Sequence, residues 1–226
     1  MAINKSYFEN KSGIEIGGPS AIFSSLLPIY PIVRNLDGCN FSAHTIWEGN
    51  ITEGNSYQYY GDKKGTQYIC GADDLSGIAS ETYDFLLSSH CLEHCANALK
   101  TVEEWLRVIK KGGALLLVLP DQLYTFDHKR RITTFEHLLC DAKNNIDETD
   151  LTHLDEILSL HDLSMDLPSG SMEQFKARSL DNYNNRCLHH HVFDFALLRE
   201  IFQHFNLKVM GTSFAQCQQI ILGVKQ

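Results

Sequence analysis

The stretch from Tyr83 to Pro120 constrains the fold of this chain more strongly than any other part of the sequence. It begins with Tyr83–Ser89, a short apolar run closed by small polar residues, which is typical of a buried strand. A helix is predicted next, because apolar residues recur there at steps of three and four positions, namely Leu99, Val102, Leu106 and Ile109. Gly112 and Gly113 are expected to end that helix, and the wholly apolar residues 114–119 predict a second buried strand. Strand, helix and strand in this order predict a parallel βαβ unit and therefore an α/β fold.

The sequence before this stretch supplies the other strands of such a sheet. Residues 13–18 predict a first strand that runs into a glycine turn, and residues 31–37 predict a second strand that ends in an acid. Residues 67–75 predict a third strand with its exit loop. Residues 51–66 are polar and glycine-rich, so we expect a loop there.

The segment 121–190 differs from the rest, because it is polar and dense in Asp, Asn and His. We expect it to be a largely helical insertion, or lid, within a single domain that spans residues 1–226. After it, Asp194 can cap a helix with an apolar face, and two strands around a turn are expected in residues 208–225.

Composition excludes several classes of function. The formal net charge is −9, from 19 Lys and Arg against 28 Asp and Glu, and such a surface disfavours nucleic acid and anionic membranes as partners. No apolar run approaches the roughly 20 residues that a membrane span needs. The seven cysteines include no CxxC pair, and they indicate reduced thiols in a cytoplasmic protein.

The glycine turn after the first strand is the first candidate binding motif. It reads Glu15-Ile16-Gly17-Gly18-Pro19-Ser20, and glycine lets a ligand approach the backbone closely, although a tight strand–loop turn would need the same residues. It is not the dinucleotide fingerprint, which requires a third glycine. Asp37 lies twenty positions after Gly17, where Rossmann-type folds bind ribose hydroxyls, but it also fits a turn. Glu48 is the second choice for that role.

The stretch from Tyr83 to Asp121 resembles the class I S-adenosylmethionine (SAM)-dependent methyltransferases, specifically the Methyltransf_11 group. The resemblance is carried by YDFLLSSHCLEH, at residues 83–94, and by EEWLRVIKKGGALLLVLPD, at residues 103–121. It implies a Rossmann-like, mostly parallel sheet whose last strand is antiparallel, and it implies SAM as the cofactor. It also implies a set of cofactor-binding residues: Glu15, Gly17, Gly18 and Ser20 beside the amino-acid part of SAM, Asp37 at the ribose, Ala72 or Asp73 at the adenine, and Ser89 and His90 at the methionine. Gly71 stands where the family has the acid that meets the adenine.

The insertion supplies the candidate catalytic residues. His128, His190 and Tyr183 are our candidates for removing a proton from a hydroxyl or amine acceptor, since histidine titrates near neutral pH. His and Asp are also metal ligands, but the three adjacent histidines at 189–191 cannot all point one way on a strand. We therefore predict no metal site from this spacing.

These observations favour a SAM-dependent methyltransferase that acts on a small-molecule acceptor. One alternative keeps SAM as the sole substrate, cyclising it to azetidine-2-carboxylate with release of methylthioadenosine, by analogy within the fold. A second alternative is a non-catalytic SAM-binding protein. The sequence gives no indication of the acceptor or of the oligomeric state.

Overall fold

The computed structural model describes residues 4–226. Within these residues, ten strands and six α-helices follow one another, joined by loops and short 3-10 turns. In chain order they are β1 (Ser12–Ile16), β2 (Asn35–Asn40), β3 (His44–Thr45), β4 (Gly49–Asn50), β5 (Gly54–Tyr60), β6 (Lys63–Ile69), β7 (Tyr83–Ser89), α1 (Ala98–Val108), β8 (Ile109–Pro120), α2 (Phe135–Asn144), α3 (Leu154–Leu160), α4 (Met172–Leu180), α5 (Asn182–Asn185), α6 (Phe195–His204), β9 (Leu207–Ala215) and β10 (Gln218–Lys225).

Eight of the strands form one sheet in the order β5-β6-β2-β1-β7-β8-β10-β9. The pairs from β6 through β2, β1 and β7 to β8 are parallel, whereas β10 is antiparallel to both of its neighbours and β5 is antiparallel to β6. The expected Rossmann-like sheet with an antiparallel last strand is confirmed. Strand order reverses between β1 and β7, and the carboxyl ends of strands at such a switch point are where open α/β sheets bind ligands.

The two faces of the sheet are covered differently. On one face, the amphipathic helix α1 buries Val102 and Trp105 against β7 and β8, as the spacing of its apolar residues predicted. On the other face, the cover is mostly irregular N-terminal chain, with Phe8, Phe23 and Tyr30 fully buried. The segment between β1 and β2, where the fold class places a helix, therefore contributes aromatic side chains rather than a long helix.

The polar segment 51–66 is not a loop, contrary to our expectation. It contains β5 and the start of β6, which pair as a hairpin around Gly61. Tyr57 and Tyr59 alternate with exposed residues and point into the core, which is the period of two expected of a half-buried strand. The glycine and polar content obscured this alternation in the sequence.

Two element boundaries also differ from expectation. The second strand is Asn35–Asn40, so Asp37 lies in its middle and Asn40 is its last residue. The helix α1 ends at Val108, and Gly112, at φ +72°, lies within β8 where the register with β7 shifts. The glycine therefore shapes an irregular strand start rather than a helix end.

Four helices, α2 to α5, lie between β8 and α6, where we expected a largely helical insertion. The helix α6 begins as predicted, with Asp194 accepting a hydrogen bond from the Leu197 N–H at 2.8 Å. Over residues 4–226, no helix has both the length and the apolar character needed to cross a membrane.

Candidate functional site

The carboxyl ends of β1 and β7 place the glycine turn beside Ser89. Ile16 and Ser88 are direct partners in the parallel ladder, so the residues that follow them, Gly17 and Ser89, leave the sheet at the same edge. Gly17 has φ +83°, and a side chain there would also approach Cys91 Cβ to 3.3 Å. The conformation therefore favours glycine at this bend, and a side chain there would be tightly packed against Cys91.

A buried carboxylate holds the bend in place. Glu15 is fully buried, and it accepts hydrogen bonds from Tyr30 Oη at 2.6 Å, Tyr57 Oη at 2.7 Å and the Ser20 N–H at 3.0 Å. Burial raises the pKa of Glu15 to about 7, against the opposing effect of these hydrogen bonds. Gly18 leaves room for this group, because a Cβ there would lie 2.2 Å from Glu15 Cδ.

A cavity of about 470 Å³ opens at this edge of the sheet. Four of the predicted cofactor-binding residues line it, namely Gly17, Ser20, Ser89 and His90. His90 has φ +50°, the left-handed region that non-glycine residues seldom adopt. The volume lies within the range of about 300–1,000 Å³ that is usual for small-molecule sites.

The remaining predicted cofactor-binding residues lie outside the lining of this cavity. Glu15 and Gly18 stand behind the bend, as described above. Asp37 accepts hydrogen bonds from Tyr83 Oη at 2.8 Å and from the Thr66 N–H at 2.8 Å, so it ties three strands together within the sheet. Ala72 accepts a hydrogen bond from Trp105 Nε1 through its carbonyl, and Asp73 forms an ion pair with Lys100 at 2.7 Å.

The chain after β2 forms part of the cavity wall, and Glu48 is the residue of this part that the sequence predicted. Asn40 is buried at the end of β2, where it donates to the Gly18 carbonyl at 2.9 Å and accepts from Trp47 Nε1 at 3.3 Å. Trp47 and Glu48 both line the cavity. The end of a strand is set by its pairing register, so correct placement of β2 would have pointed to Asn40 instead of Asp37.

The insertion supplies the opposite wall, including a buried His–Asp pair. His189 Nδ1 is hydrogen-bonded to Asp127 Oδ2, and Arg130 Nη1 approaches Asp127 Oδ1 at 3.1 Å while also donating to the His189 carbonyl. Burial opposes ionisation of Asp127, but the charges and hydrogen bonds of His189 and Arg130 outweigh it and lower the pKa of Asp127 to about 2. Burial likewise opposes protonation of His189, but the charge and hydrogen bond of Asp127 raise its pKa above 6.5.

Other charged and aromatic groups complete the wall around His189. They are His94, Phe126, Asp166, Arg178 and Arg186, each on the cavity lining. Arg178 Nε and Arg186 Nε are buried and have no hydrogen-bond partner. Sequence reasoning named none of these residues as site residues, because only the folded insertion brings positions 126–189 to the ends of β1 and β7.

The three predicted catalytic residues lie elsewhere. His128 Nδ1 is 3.1 Å from the Thr125 carbonyl, and His128 Nε2 lies 3.5 Å from Asp162. His190 is buried against Asn182 and lines a separate cavity, and burial, reinforced by the charge of His153, lowers its pKa to about 4. Tyr183 is 58% exposed. None of the three is on the lining of the cavity that contains Gly17.

One group of potential metal ligands adjoins the cavity. Glu93, His94 and His189 each offer a ligand atom within 4.8 Å of the others, and both Glu93 carboxylate oxygens are buried without a hydrogen-bond partner. His94 Nδ1 is held by the Leu188 carbonyl at 3.0 Å.

Comparison with known proteins shows what the chain is similar to. A family model described as a methyltransferase domain matches residues 18–117. Among solved structures, the fold is similar to that of a complex between the Haloferax volcanii Trm112 methyltransferase activator and a putative methyltransferase, with a TM-score of 0.54, 13% identity and coverage of 99% of this chain and 88% of that chain. It is equally similar to a putative S-adenosylmethionine-dependent methyltransferase from Listeria monocytogenes, with a TM-score of 0.54, 13% identity and coverage of 97% and 92%. A sequence comparison with curated proteins finds no match. Residues 18–117 therefore match a methyltransferase domain, and the chain shares the fold of these two structures.

Proposed function

We propose that this protein transfers the methyl group of SAM to a hydroxyl or amine of an anionic small molecule bound in the cavity beside Gly17. One observation supports it above all: His189, which is hydrogen-bonded to the buried Asp127, lines the same cavity as Gly17 and Ser89. A proton acceptor and a cofactor-binding edge on one small cavity are the two parts that such a reaction needs.

The residues around the bend fit SAM. Gly17, Ser89 and His90 would hold its amino-acid part, since the backbone at Gly17 is bare. Glu48 would accept hydrogen bonds from the ribose hydroxyls, and it takes over the role that we first assigned to Asp37. Partial burial raises the pKa of Glu48. Trp47 offers an aromatic face on the same wall, suited to a cationic sulfonium or a planar base.

The chemistry of the chain's own residues then follows. When bound, SAM supplies a methyl group activated by a positively charged sulfur. His189 has its Nδ1 committed to Asp127, so Nε2 is the nitrogen that can accept a proton from the acceptor as the acceptor attacks. Asp127 is a positioning residue: it fixes the imidazole tautomer and stabilises the imidazolium that forms.

The arginines indicate the charge of the acceptor. Arg178 Nε and Arg186 Nε lack hydrogen-bond partners although both are buried on the cavity wall. Both half-buried guanidiniums also pair with a carboxylate, Arg178 with Asp166 at 3.2 Å and Arg186 with Glu148 at 2.7 Å, but each Nε–H stays available to a carboxylate or phosphate oxygen. We therefore propose an acceptor that carries such a group next to its hydroxyl or amine.

The first experiment follows the products formed from SAM. The full chain is incubated with SAM, with and without a panel of small hydroxy- and amino-carboxylates and their phosphate esters. S-adenosylhomocysteine that forms only when a panel member is present supports the proposal. Methylthioadenosine formed from SAM alone would instead indicate cyclisation, and SAM binding without any product would indicate a non-catalytic protein.

A pair of variants tests the assignment of His189. With the acceptor identified above, His189→Asn should lower kcat by at least about 100-fold, the usual contribution of a general base, while SAM affinity measured by calorimetry is retained. The exposed His204, far along α6, provides the matched control His204→Asn.

The pH dependence separates positioning from a merely structural role. In the wild type, kcat should be lost as the pH falls through the raised pKa of His189, above 6.5, because the protonated ring cannot accept a proton. Asp127→Asn removes the charge that raises this pKa, so the fall in kcat should move to lower pH. An unchanged pH profile in Asp127→Asn would contradict the assignment.

A further inference from the structure

Three histidines, two in the insertion and one directly after it, meet in a cluster outside the candidate active site. His137 lies on α2 and His153 precedes α3, whereas His191 lies in residues 186–194, the segment between α5 and α6 that we call the strap. We call them the three-histidine cluster. Each offers a ring nitrogen that lies within 4.8 Å of the others.

Two of the histidines are as close as two ligands of one ion, and a carboxylate lies beside the cluster. His137 Nε2 and His153 Nε2 are 3.1 Å apart. Asp141, one helical turn after His137, brings Oδ2 to 3.3 Å from His137 Nε2 and to 3.7 Å from His191 Nε2. Ligand atoms about 2.0–2.1 Å from one tetrahedral ion are expected to be a little over 3 Å apart.

Hydrogen bonding within the protein leaves this cluster incomplete. Asp141 Oδ2 and His191 Nδ1 are both buried and have no hydrogen-bond partner, and the two residues are only 8% and 1% exposed. An unsatisfied buried polar atom is costly, and a positive charge would compensate a carboxylate oxygen that lies beside the imidazoles of His137 and His191. His191 Nε2 is 3.1 Å from the Ala96 carbonyl, so a proton on Nε2 leaves Nδ1 with the lone pair that a metal requires.

The adjacent residues 189–191 explain why the sequence did not predict this site. His189 faces Asp127, His190 faces Asn182, and His191 joins His137 and His153, so the three side chains do diverge as expected. Only one of them enters the cluster, and its two partners come from 38 or more positions away, since 191 − 153 = 38. Such spacing has no recognisable motif.

We propose that the three-histidine cluster binds one divalent transition-metal ion of the zinc class, with Asp141 supplying the neighbouring negative charge. Imidazole nitrogen suits Zn²⁺ and its transition-metal neighbours, whereas Mg²⁺ and Ca²⁺ prefer sets of oxygen ligands. A cavity of about 500 Å³ reaches His137 and His153, which leaves room for a water as the fourth ligand. The ion would join α2, the start of α3 and the strap, and it would thereby hold the strap that carries His189 into the candidate active site.

Metal binding by the full chain tests the proposal directly, without any measurement of methyl transfer. The protein is freed of metal with a chelator and titrated with Zn²⁺ in a calorimeter, with Mg²⁺ as the comparison. One Zn²⁺ per chain is expected, with no binding of Mg²⁺, and Zn²⁺ should raise the melting temperature because it binds only the folded chain. Co²⁺ in place of Zn²⁺ should give the visible absorption bands of a tetrahedral site.

Variants locate the ion. His137→Asn and His153→Asn should each weaken Zn²⁺ binding by at least about 100-fold and remove the rise in melting temperature, whereas Asp141→Asn should weaken binding by about 10- to 100-fold. His204→Asn is the control and should bind as the wild type does. The proposal is overturned if no Zn²⁺ binds, if both histidine variants bind normally, or if Glu93→Gln abolishes binding instead, which would place the ion at Glu93, His94 and His189.

Discussion

At the scale of single residues, Glu15 is the clearest case of a side chain whose surroundings shift its pKa. Burial raises its pKa to about 7 from 4.5, so the folded protein keeps a proton that the unfolded chain has released. The stabilisation linked to this proton is fully present below pH 4.5 and is lost as the pH rises through 7. This shift in pKa corresponds to a loss of unfolding free energy on the order of 3 kcal/mol.

Glu15→Gln should remove this pH dependence. We expect the free energy of unfolding, measured in urea, to fall more steeply in the wild type than in the variant between pH 4.5 and 8. Glu103→Gln, at an exposed position of α1, is the control and should follow the wild type. Parallel curves for wild type and Glu15→Gln would show that Glu15 is ionised throughout.

Site positions could be predicted from sequence only where local motifs carry them. The family resemblance implied Gly17, Ser20, Ser89 and His90, and the structure brings these four to one cavity. His189 and Asp127 are 62 positions apart and meet only through the folded insertion, so local patterns could not pair them. The choice of His128, His190 and Tyr183 rested on residue type alone.

At the scale of elements, α1 is attached to the insertion by its own N-cap. Asn97 Oδ1 accepts from the Lys100 N–H at 3.1 Å, while Nδ2 donates to the carbonyls of Asp141 at 3.3 Å and Ile146 at 3.2 Å. The cap of α6 is simpler, since the Asp194 side chain accepts one hydrogen bond, from the Leu197 N–H. The two caps therefore differ in how many elements they join.

Asn97→Ala should destabilise the protein more than Asp194→Ala. Loss of a cap costs about 1 kcal/mol, and each additional buried hydrogen bond adds about 1 kcal/mol. We expect about 3 kcal/mol for Asn97→Ala and about 1 kcal/mol for Asp194→Ala from urea unfolding of the two variants. Equal losses of unfolding free energy in the two variants would mean that the hydrogen bonds donated by the Asn97 side-chain amide to α2 and the loop after it contribute nothing to stability.

The elements themselves were predicted unevenly. β7, α1, α6 and β10 have strong apolar periodicity and were expected near their observed positions. The hairpin of β5 and β6 was missed because its inward tyrosines are separated by polar residues and flanked by glycine. The second strand was predicted to end at Asp37 but ends at Asn40. Asp37, the candidate ribose-binding residue, therefore lies within the sheet and not at the end of the strand.

At the scale of the whole molecule, the sheet order was implied by the family resemblance and is confirmed. The shape of the candidate site was not implied by the resemblance. It depends on how the insertion packs, which involves long-range pairs such as Arg130 with the His189 carbonyl. Local propensity is informative about strands and helices, but it is not informative about which loops meet across a cavity.

Calorimetry with S-adenosylhomocysteine tests whether the Gly17 bend and the Ser89 edge form a SAM site. We expect one molecule to bind per chain, and we expect Gly17→Val, which adds a side chain at φ +83° beside Cys91, to weaken this binding at least tenfold. Gly61→Val, at φ +54° with open space around it, imposes similar backbone strain far from the bend and should bind as the wild type does. No heat of binding with the wild type, or unchanged affinity in Gly17→Val, would contradict the account.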